Sequence, residues 1–296
     1  MADQGRFNPV WGQGVGAMIP ERKKPRLDAR AGQASPLGVA ISHNDRATMA
    51  MVRAAIDAKQ MRLAYQPVVL ARDPDCVAFN EGLIRVLDPT GRVIPARDFM
   101  ATVESHELGR EIDCIALELG LAALARNPGL RISINMSARS IGYPRFIQVL
   151  RRGLSVAPMI GERLILEITE SSAMLVPEIV IAFMDELQRD GIAFALDDFG
   201  SGALAIRYFK DFFFDIVKID GQFIRNLHED AGNRSVARAL LSIGKTFEMF
   251  TVAAAVESVQ EAELLQQMGV DCLQGYLFGA PTMKPKFEQQ PLHKLG

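Results

Sequence analysis

The sequence predicts an α/β protein whose ordered part is one (β/α)8 barrel, and three observations predict it. Strand-like apolar runs alternate with amphipathic stretches, the order that gives a parallel sheet covered by helices. The chain has 296 residues, and one such barrel takes roughly 250. Polar residues stand near the C-terminal ends of nearly all the runs, where barrel proteins keep their chemistry. A doubly wound open sheet is the alternative that the same alternation allows.

The strand-like runs are LAYQPVV (63–69), VAFNEGLIRV (77–86), LRISINMS (130–137), RLILEIT (163–169), IAFALDDF (192–199), DIVKIDG (215–221), FTVAAAV (250–256) and CLQGYLF (272–278). The segments between them include SARSIGYPRFIQVLRRGL, PEIVIAFMDELQRDG, RSVARALLSIGKTFE and VQEAELLQQMG. Most of these read as amphipathic helices. Ahead of the first run a helix is expected, capped by Asn44 or Asp45 and reaching Lys59, with Met49, Val52, Ile56 and Met61 apolar at helical spacing. The expected organisation is a flexible N-terminal tail (1–43), a barrel domain (44–285) and a C-terminal tail (286–296). The first tail is rich in proline and glycine and has no helical or strand period. Its basic ERKKPR stretch reads as a solvated face, with a contact to an acidic protein partner as the other reading. Trp11, the single tryptophan, sits in the same tail.

Composition narrows the function classes. Lys plus Arg is 33 against 35 Asp plus Glu, a formal charge of −2. That balance argues against a nucleic-acid binder working by bulk electrostatics. Cys76, Cys114 and Cys272 are far apart and form no CxxC pair, which excludes a disulfide scaffold and a zinc-finger framework. They suit a reducing compartment, so a cytoplasmic location is expected. The start has no apolar core behind a basic leader and is not read as a signal peptide. No run approaches the ~18 uncharged apolar residues that a membrane span needs. His43, His106, His228 and His293 are scattered, so any metal would have to be held by oxygen.

Where the polar residues fall is the informative part. The second run carries Glu81, the third Asn135, the fourth Glu167, the fifth Asp197 and Asp198, the sixth Lys218 and Asp220, and the eighth Gln274. From Asn135 the spacings to the next strand's group are 32, 30 and 21, then 56 across the seventh run. Intervals of one βα unit would gather these groups in a ring at one mouth of the barrel. Any one of them alone could be a solvent-facing loop residue. Six strands repeating the feature is less easily accidental, because a buried charge costs several kcal/mol unless it is paired or metal-bound. Carboxylates with a carboxamide, and no His or Cys, form a hard-oxygen set that selects Mg²⁺ or Mn²⁺ over zinc. The adjacent Asp197 and Asp198 could serve two ions, as in the clamps that hold both the attacking and leaving oxygens of a phosphodiester. The glycines of DDFGSG read either as a plain tight turn or as a mobile loop that positions the two aspartates.

The motifs resemble, in order, those of the EAL family of cyclic di-GMP phosphodiesterases. AYQPVV is similar to the family's opening YQP strand, and NEGLIR to its signature EALLR, with Gly82 in place of alanine. GRVIPARDFM, INMSA, LEITES, ALDDFGSG, VKIDGQFI and LQGYLF follow in the family's order. The resemblance implies a TIM-type barrel with an antiparallel first strand, and a site where cyclic di-GMP is linearised with Mg²⁺ or Mn²⁺. It assigns Glu81, Asn135, Glu167 and Asp197 to one metal and Asp198 to a second. It places Lys218 and Gln274 at the attacking water, Glu170 beneath the DDFG loop, and Gln66 and Arg85 against the dinucleotide, Arg85 through a phosphate.

The departure lies on the seventh strand. Active members read A-E-G-V-E there, and this chain reads Ala253-Ala254-Ala255-Val256-Glu257. Ala254 stands where the family has a carboxylate, and Glu257, three residues on, is not expected to reach the same point. Loss of such a group typically slows a reaction ~10²–10⁴-fold. The preferred reading is therefore a cyclic di-GMP receptor with weak or lost activity. An active phosphodiesterase and a protein-interaction module that binds no nucleotide remain as alternatives. The dense phenylalanines Phe209, Phe212, Phe213 and Phe214 read mainly as core; an exposed pair among them would make a homodimer or partner patch.

Overall fold

The computed structural model describes residues 36–202, 209–285 and 287. The chain divides into two units, Met1–Ile41 and Ser42–Gly296. A helix, α1, spans Pro36–Asp57. The cap expected at Asn44 or Asp45 is thereby corrected, because both residues lie within this helix. Pro36 suits a first turn, where its missing N–H would be unsatisfied in any case. Of the expected N-terminal tail (1–43), residues 36–43 lie in α1, and residues 1–35, with Trp11 and the ERKKPR stretch, lie outside the described residues, as does the C-terminal tail (286–296) except residue 287.

The remaining elements alternate as the sequence requires. They are β1 (Met61–Leu70), β2 (Asp73–Leu87), β3 (Val93–Pro95), α2 (Met100–Val103), α3 (Glu107–Arg126), β4 (Ile132–Asn135), α4 (Pro144–Val156) and β5 (Leu164–Thr169). There follow α5 (Glu170–Ala173), α6 (Pro177–Gln188), β6 (Ala193–Phe199), β7 (Ile216–Ile219), α7 (Ala231–Thr246), β8 (Phe250–Ala253), α8 (Val259–Met268) and β9 (Cys272–Leu273). Each of the eight strand-like runs of the sequence overlaps one of these strands. Pairing closes a barrel in the order β1, β2, β4, β5, β6, β7, β8, β9 and back to β1. β1 is antiparallel to both of its neighbours, and the other neighbours in the ring are parallel. Closure at β1–β9 rests on the Val69–Leu273 and Leu70–Cys272 pairs.

β3 was not expected. It folds back on β2 with Arg85 opposite Pro95. The turn between them is tied by Asp88, whose Oδ1 accepts the Thr90 and Arg92 amides and the Thr90 hydroxyl, with Gly91 at φ +83°. The Asp-Pro-Thr-Gly sequence (88–91) is the signal that would have revealed it.

Alternation along the strands sets the interior. Val68, Phe79, Ile165, Ala195, Ile216, Val252 and Cys272 form one apolar cluster, one residue from each of seven barrel strands. Two positions further toward the mouth, on the same strands or at the residue just after them, stand Gln66, Glu81, Glu167, Asp197, Lys218, Ala254 and Gln274. On β4 the corresponding pair is Ser133 and Asn135, and the fully buried Ser133 hydroxyl has no hydrogen-bond partner. β1 keeps the pattern although it runs backward, because Gln66 precedes Val68. The ring of polar groups therefore rests on an apolar floor. The helices pack outside the sheet, where Phe99, Phe146, Leu117 and Leu150 are fully buried.

The loop after β4 is fixed from two sides. Asp113 on α3 accepts the Ser137 amide at 2.9 Å and the Ser140 hydroxyl at 2.6 Å. Ser172 on α5 accepts the Ala138 amide at 2.8 Å. Burial raises the Asp113 carboxyl to about 7, with its two hydrogen bonds opposing and Glu104 adding to the rise. In the unfolded chain this group ionises near pH 4. The folded state therefore holds one more proton between those values, and stability falls as pH rises from about 4 to about 7. Asp113→Asn keeps the acceptor and removes the titration. Urea unfolding should show the variant gaining on the wild type by up to about 4 kcal/mol between pH 4 and pH 8. A gap between the two that does not change with pH would contradict this.

Candidate functional site

At the barrel mouth, Lys218 of β7 is buried among three carboxylates. Its Nζ donates to Glu81 Oε2 of β2 at 2.9 Å and to Glu167 Oε1 of β5, and lies 3.5 Å from Asp197 Oδ1 of β6. Glu81 also accepts from Asn135 Nδ2 at 2.8 Å and from Gln274 Nε2 at 2.6 Å. Six of the sequence-predicted site residues thus meet in one network drawn from six strand ends.

The electrostatics follow from that packing. Burial works against the Glu81 carboxylate, but Lys218 and the two amide donors outweigh it and hold its pKa below the usual range. Glu167 goes the other way: burial, then the charge of Glu81, hold it well above the carboxylate range despite Lys218. Burial also works against the Lys218 ammonium, yet Asp197, Glu167 and Glu81 together keep it protonated well above the ordinary lysine value. Glu167 Oε2 is buried with no hydrogen-bond partner.

β6 supplies two consecutive carboxylates to one space, which a regular strand cannot do. Its pairing with β7 shifts register between Leu196 and Phe199, and Asp198 takes φ +55°. The bulge turns Asp198 back, so both aspartates border the same cavity. Burial and then Asp197 raise the Asp198 carboxyl to about 6. The loop that follows is anchored by Glu170, whose Oε2 accepts the Gly200 amide at 2.8 Å. A Cβ on Gly202 would stand 2.8 Å from Glu170 Oε1. Glu170 thus underlies the DDFG loop rather than bordering the cavity, and residues 203–208 lie outside the described residues.

The cavity measures about 460 Å³. Gln66, Glu81, Arg85, Asp197, Asp198, Lys218 and Gln274 of the predicted set border it. Gln66 Nε2 donates to Gly279 O at 3.1 Å, and Arg85 is half-buried. Arg97, Arg225 and Tyr276 are among the bordering residues that the sequence had not singled out. Arg97 comes directly from the unforeseen β3 hairpin.

β8 is the exception in the ring. Ala254 and Ala255 border the cavity where neighbouring strands present charge. Glu257 borders it too, from an exposed position, with its amide N–H donated to Glu261 Oε2 at 2.9 Å. Ala255 sits at φ +58°, a conformation that favours glycine. Among the described residues, no three His, Cys, Asp or Glu side chains converge as a metal-binding group. Lys218 Nζ instead stands between the three carboxylates. Oxygen-only donors and the partnerless Glu167 Oε2 nevertheless suit a hard divalent cation. Of the clustered phenylalanines, Phe209, Phe212 and Phe214 are buried and Phe213 is 44% exposed, so these four do not present an exposed pair.

The family model for the EAL domain matches residues 49–281. The chain belongs to the EAL-domain family. Among relatives, the cyclic di-GMP phosphodiesterase PdeB of Shewanella oneidensis is 30% identical over 240 residues, covering 80% of this chain and 28% of that protein. This EAL chain spans about a third of the length of the curated relatives it matches, from 28% to 36% of each. The structure of the MucR phosphodiesterase in complex with c-di-GMP aligns at a TM-score of 0.71 and 28% identity, covering 80% of this chain and 97% of that one. The FimX EAL domain of Pseudomonas aeruginosa, bound to c-di-GMP, aligns at 0.74 and 23% identity over 82% and 99% of the two chains, a likeness of fold. Among the described residues, no helix is long and apolar enough to cross a membrane.

Two stability outcomes follow from the site. Lys218→Met leaves buried carboxylates without their cation and should cost about 3–5 kcal/mol in denaturant unfolding. The loss should be smaller at pH 5 than at pH 8, because the freed carboxylates can then take up protons. Ala255→Gly relieves a left-handed alanine and should raise stability by about 0.5–1 kcal/mol, read from the thermal midpoint.

Proposed function

We propose that this EAL domain binds cyclic di-GMP in the barrel mouth and hydrolyses it very slowly or not at all. The observation that carries the proposal is that Gln66, Arg85, Glu81, Asp197, Asp198, Lys218 and Gln274 border one cavity in which Ala254 and Ala255 present only methyl groups. Arg85 and Gln66 are retained at the cavity, and Arg85 presents a guanidinium suited to a phosphate diester. Glu81, Asn135, Glu167 and Asp197 would hold one Mg²⁺ or Mn²⁺, and Asp198 would serve a second. A divalent cation there would supply Lewis-acid polarisation of the phosphate and a more acidic water.

The chain's own groups would then divide the work. Arg85 and Gln66 hold and orient the dinucleotide. Lys218, kept protonated by its carboxylate neighbours, stabilises negative charge at the phosphate. Gln274 keeps Glu81 oriented through its amide. Glu170 fixes the backbone that carries Asp197 and Asp198. What is missing is a base for the attacking water: the segment that leaves β8 offers methyl groups at Ala254 and Ala255. One observation favours the second reading, an active Mg²⁺- or Mn²⁺-dependent phosphodiesterase, namely that Glu257 borders the same cavity.

Calorimetric titration with cyclic di-GMP and Mg²⁺, with turnover followed in the same sample, separates these readings from a module that binds no nucleotide. Binding is expected, with Arg85→Ala weakening it about tenfold or more. Wild-type turnover is expected to be very slow or absent, and Ala254→Glu to raise it by about 10²-fold or more. That gain should vanish when Asp197→Asn is added. Robust wild-type turnover would favour the active reading, and no binding at high micromolar ligand would favour the interaction module.

A further inference from the structure

We infer that Arg97 is a second phosphate-binding residue of this mouth, acting beside Arg85 on a ligand that carries two phosphodiesters. The inference rests on the cyclic di-GMP reading and assigns the contact to that ligand's other phosphate.

The placement comes from the β3 hairpin. β3 runs back along β2 until Pro95 lies opposite Arg85, and a short turn over Ala96–Asp98 follows at once. Arg97 is thereby brought to the mouth directly after the hairpin that carries Arg85. It borders the main cavity and also a second one of about 390 Å³, which opens toward Met100, Ile112 and Asp113. Glu81, Asp197 and Asp198 border both cavities as well. Arg97 thus stands where the two spaces adjoin, and it shares both of them with these three carboxylates.

The charge arrangement suits an anion. Arg85 forms no ion pair among the described residues, and its Nη1 donates only to the Ile84 carbonyl at 2.9 Å. Burial, and next to it the charge of Arg97, disfavour its protonated form. Arg97 is 75% exposed, and its only ion pair among the described residues is with the adjacent, exposed Asp98 at 3.6 Å. Two guanidiniums so placed repel one another, and an anion between or beside them relieves the repulsion. A cyclic dinucleotide brings two singly charged phosphodiesters, one for each fork. It also has to approach the anionic Glu81, Asp197 and Asp198, which makes a second cation at the rim useful for entry as well as for hold.

The test is calorimetric titration of the full chain with Mg²⁺, comparing wild type, Arg97→Ala and Arg97→Lys. Two ligands are used: cyclic di-GMP and the linear dinucleoside monophosphate GpG, which has a single phosphodiester. Arg97→Ala should weaken cyclic di-GMP binding about tenfold and flatten its dependence on salt. Arg97→Lys should recover part of the loss, since it keeps the charge without the fork. GpG affinity should be the same for wild type and Arg97→Ala. The thermal midpoint of unliganded Arg97→Ala should be unchanged or higher, which separates a lost contact from a damaged fold. If wild type binds cyclic di-GMP and Arg97→Ala binds it equally well, Arg97 has no such role and the cyclic di-GMP reading stands. An equal loss for both ligands overturns the assignment to the second phosphate. Absence of wild-type binding overturns both proposals.

Discussion

The buried ammonium of Lys218 is the constraint on which the mouth of this barrel depends. Glu81, Glu167 and Asp197 are brought together by strands that would otherwise place like charges side by side. A cation at their centre makes that arrangement tolerable. Relative to an apolar packing of the same shape, such a cluster adds little stability. It stands over an apolar layer, so its fields are weakly screened and its proton affinities move in opposite directions, with Glu81 lowered and Glu167 raised. The same network helps to close the ring. β9 pairs with β1 through only Val69–Leu273 and Leu70–Cys272, while Gln274, the residue after β9, reaches Glu81 on β2. Barrel closure and the charge cluster therefore support each other.

Regular strand geometry is given up at two places at the mouth. Asp198 and Ala255 both take left-handed backbone angles immediately above an ordered ladder. At β6 the departure brings a second carboxylate to the cavity and is held by the Glu170 contact to Gly200. At β8 the same kind of departure carries only a methyl group. Strain of this kind persists where the surrounding structure imposes it. The loops are tied to one another as well: Ser172, two residues after Glu170, holds the turn that follows Asn135, and Asp113 holds that turn from α3. The elements that present Asn135, Glu167 and Asp197 are thus braced by neighbouring helices and not by the ladder alone.

Most of the fold was legible in the sequence because its signals are local. Strand-like apolar runs between helical stretches located the eight barrel strands, and the polar residues in six of them marked the mouth. Glu81, Asn135, Glu167, Asp197, Lys218 and Gln274 were all found this way, and they do converge. The first helix was misplaced at its start, because Asn44 and Asp45 are good caps by composition yet lie inside a helix that begins at Pro36. The β3 hairpin was missed because three residues are too few to show a period, and Arg97 was missed with it.

What the sequence by itself determined is the succession of strands and helices and the residue type at each strand end, since both are properties of neighbours along the chain. What only the tertiary structure decided is how those ends meet. The reversal of β1 still puts Gln66 in the polar ring, because a strand keeps its two faces whichever way it runs. The bulge in β6 lets adjacent aspartates share one space. Lys218 became the centre of three carboxylates, and Glu167 Oε2 was left without a partner, only when strands far apart in sequence closed into a ring. Distances across a barrel are set by pairing register and curvature, and neither is written in any single segment.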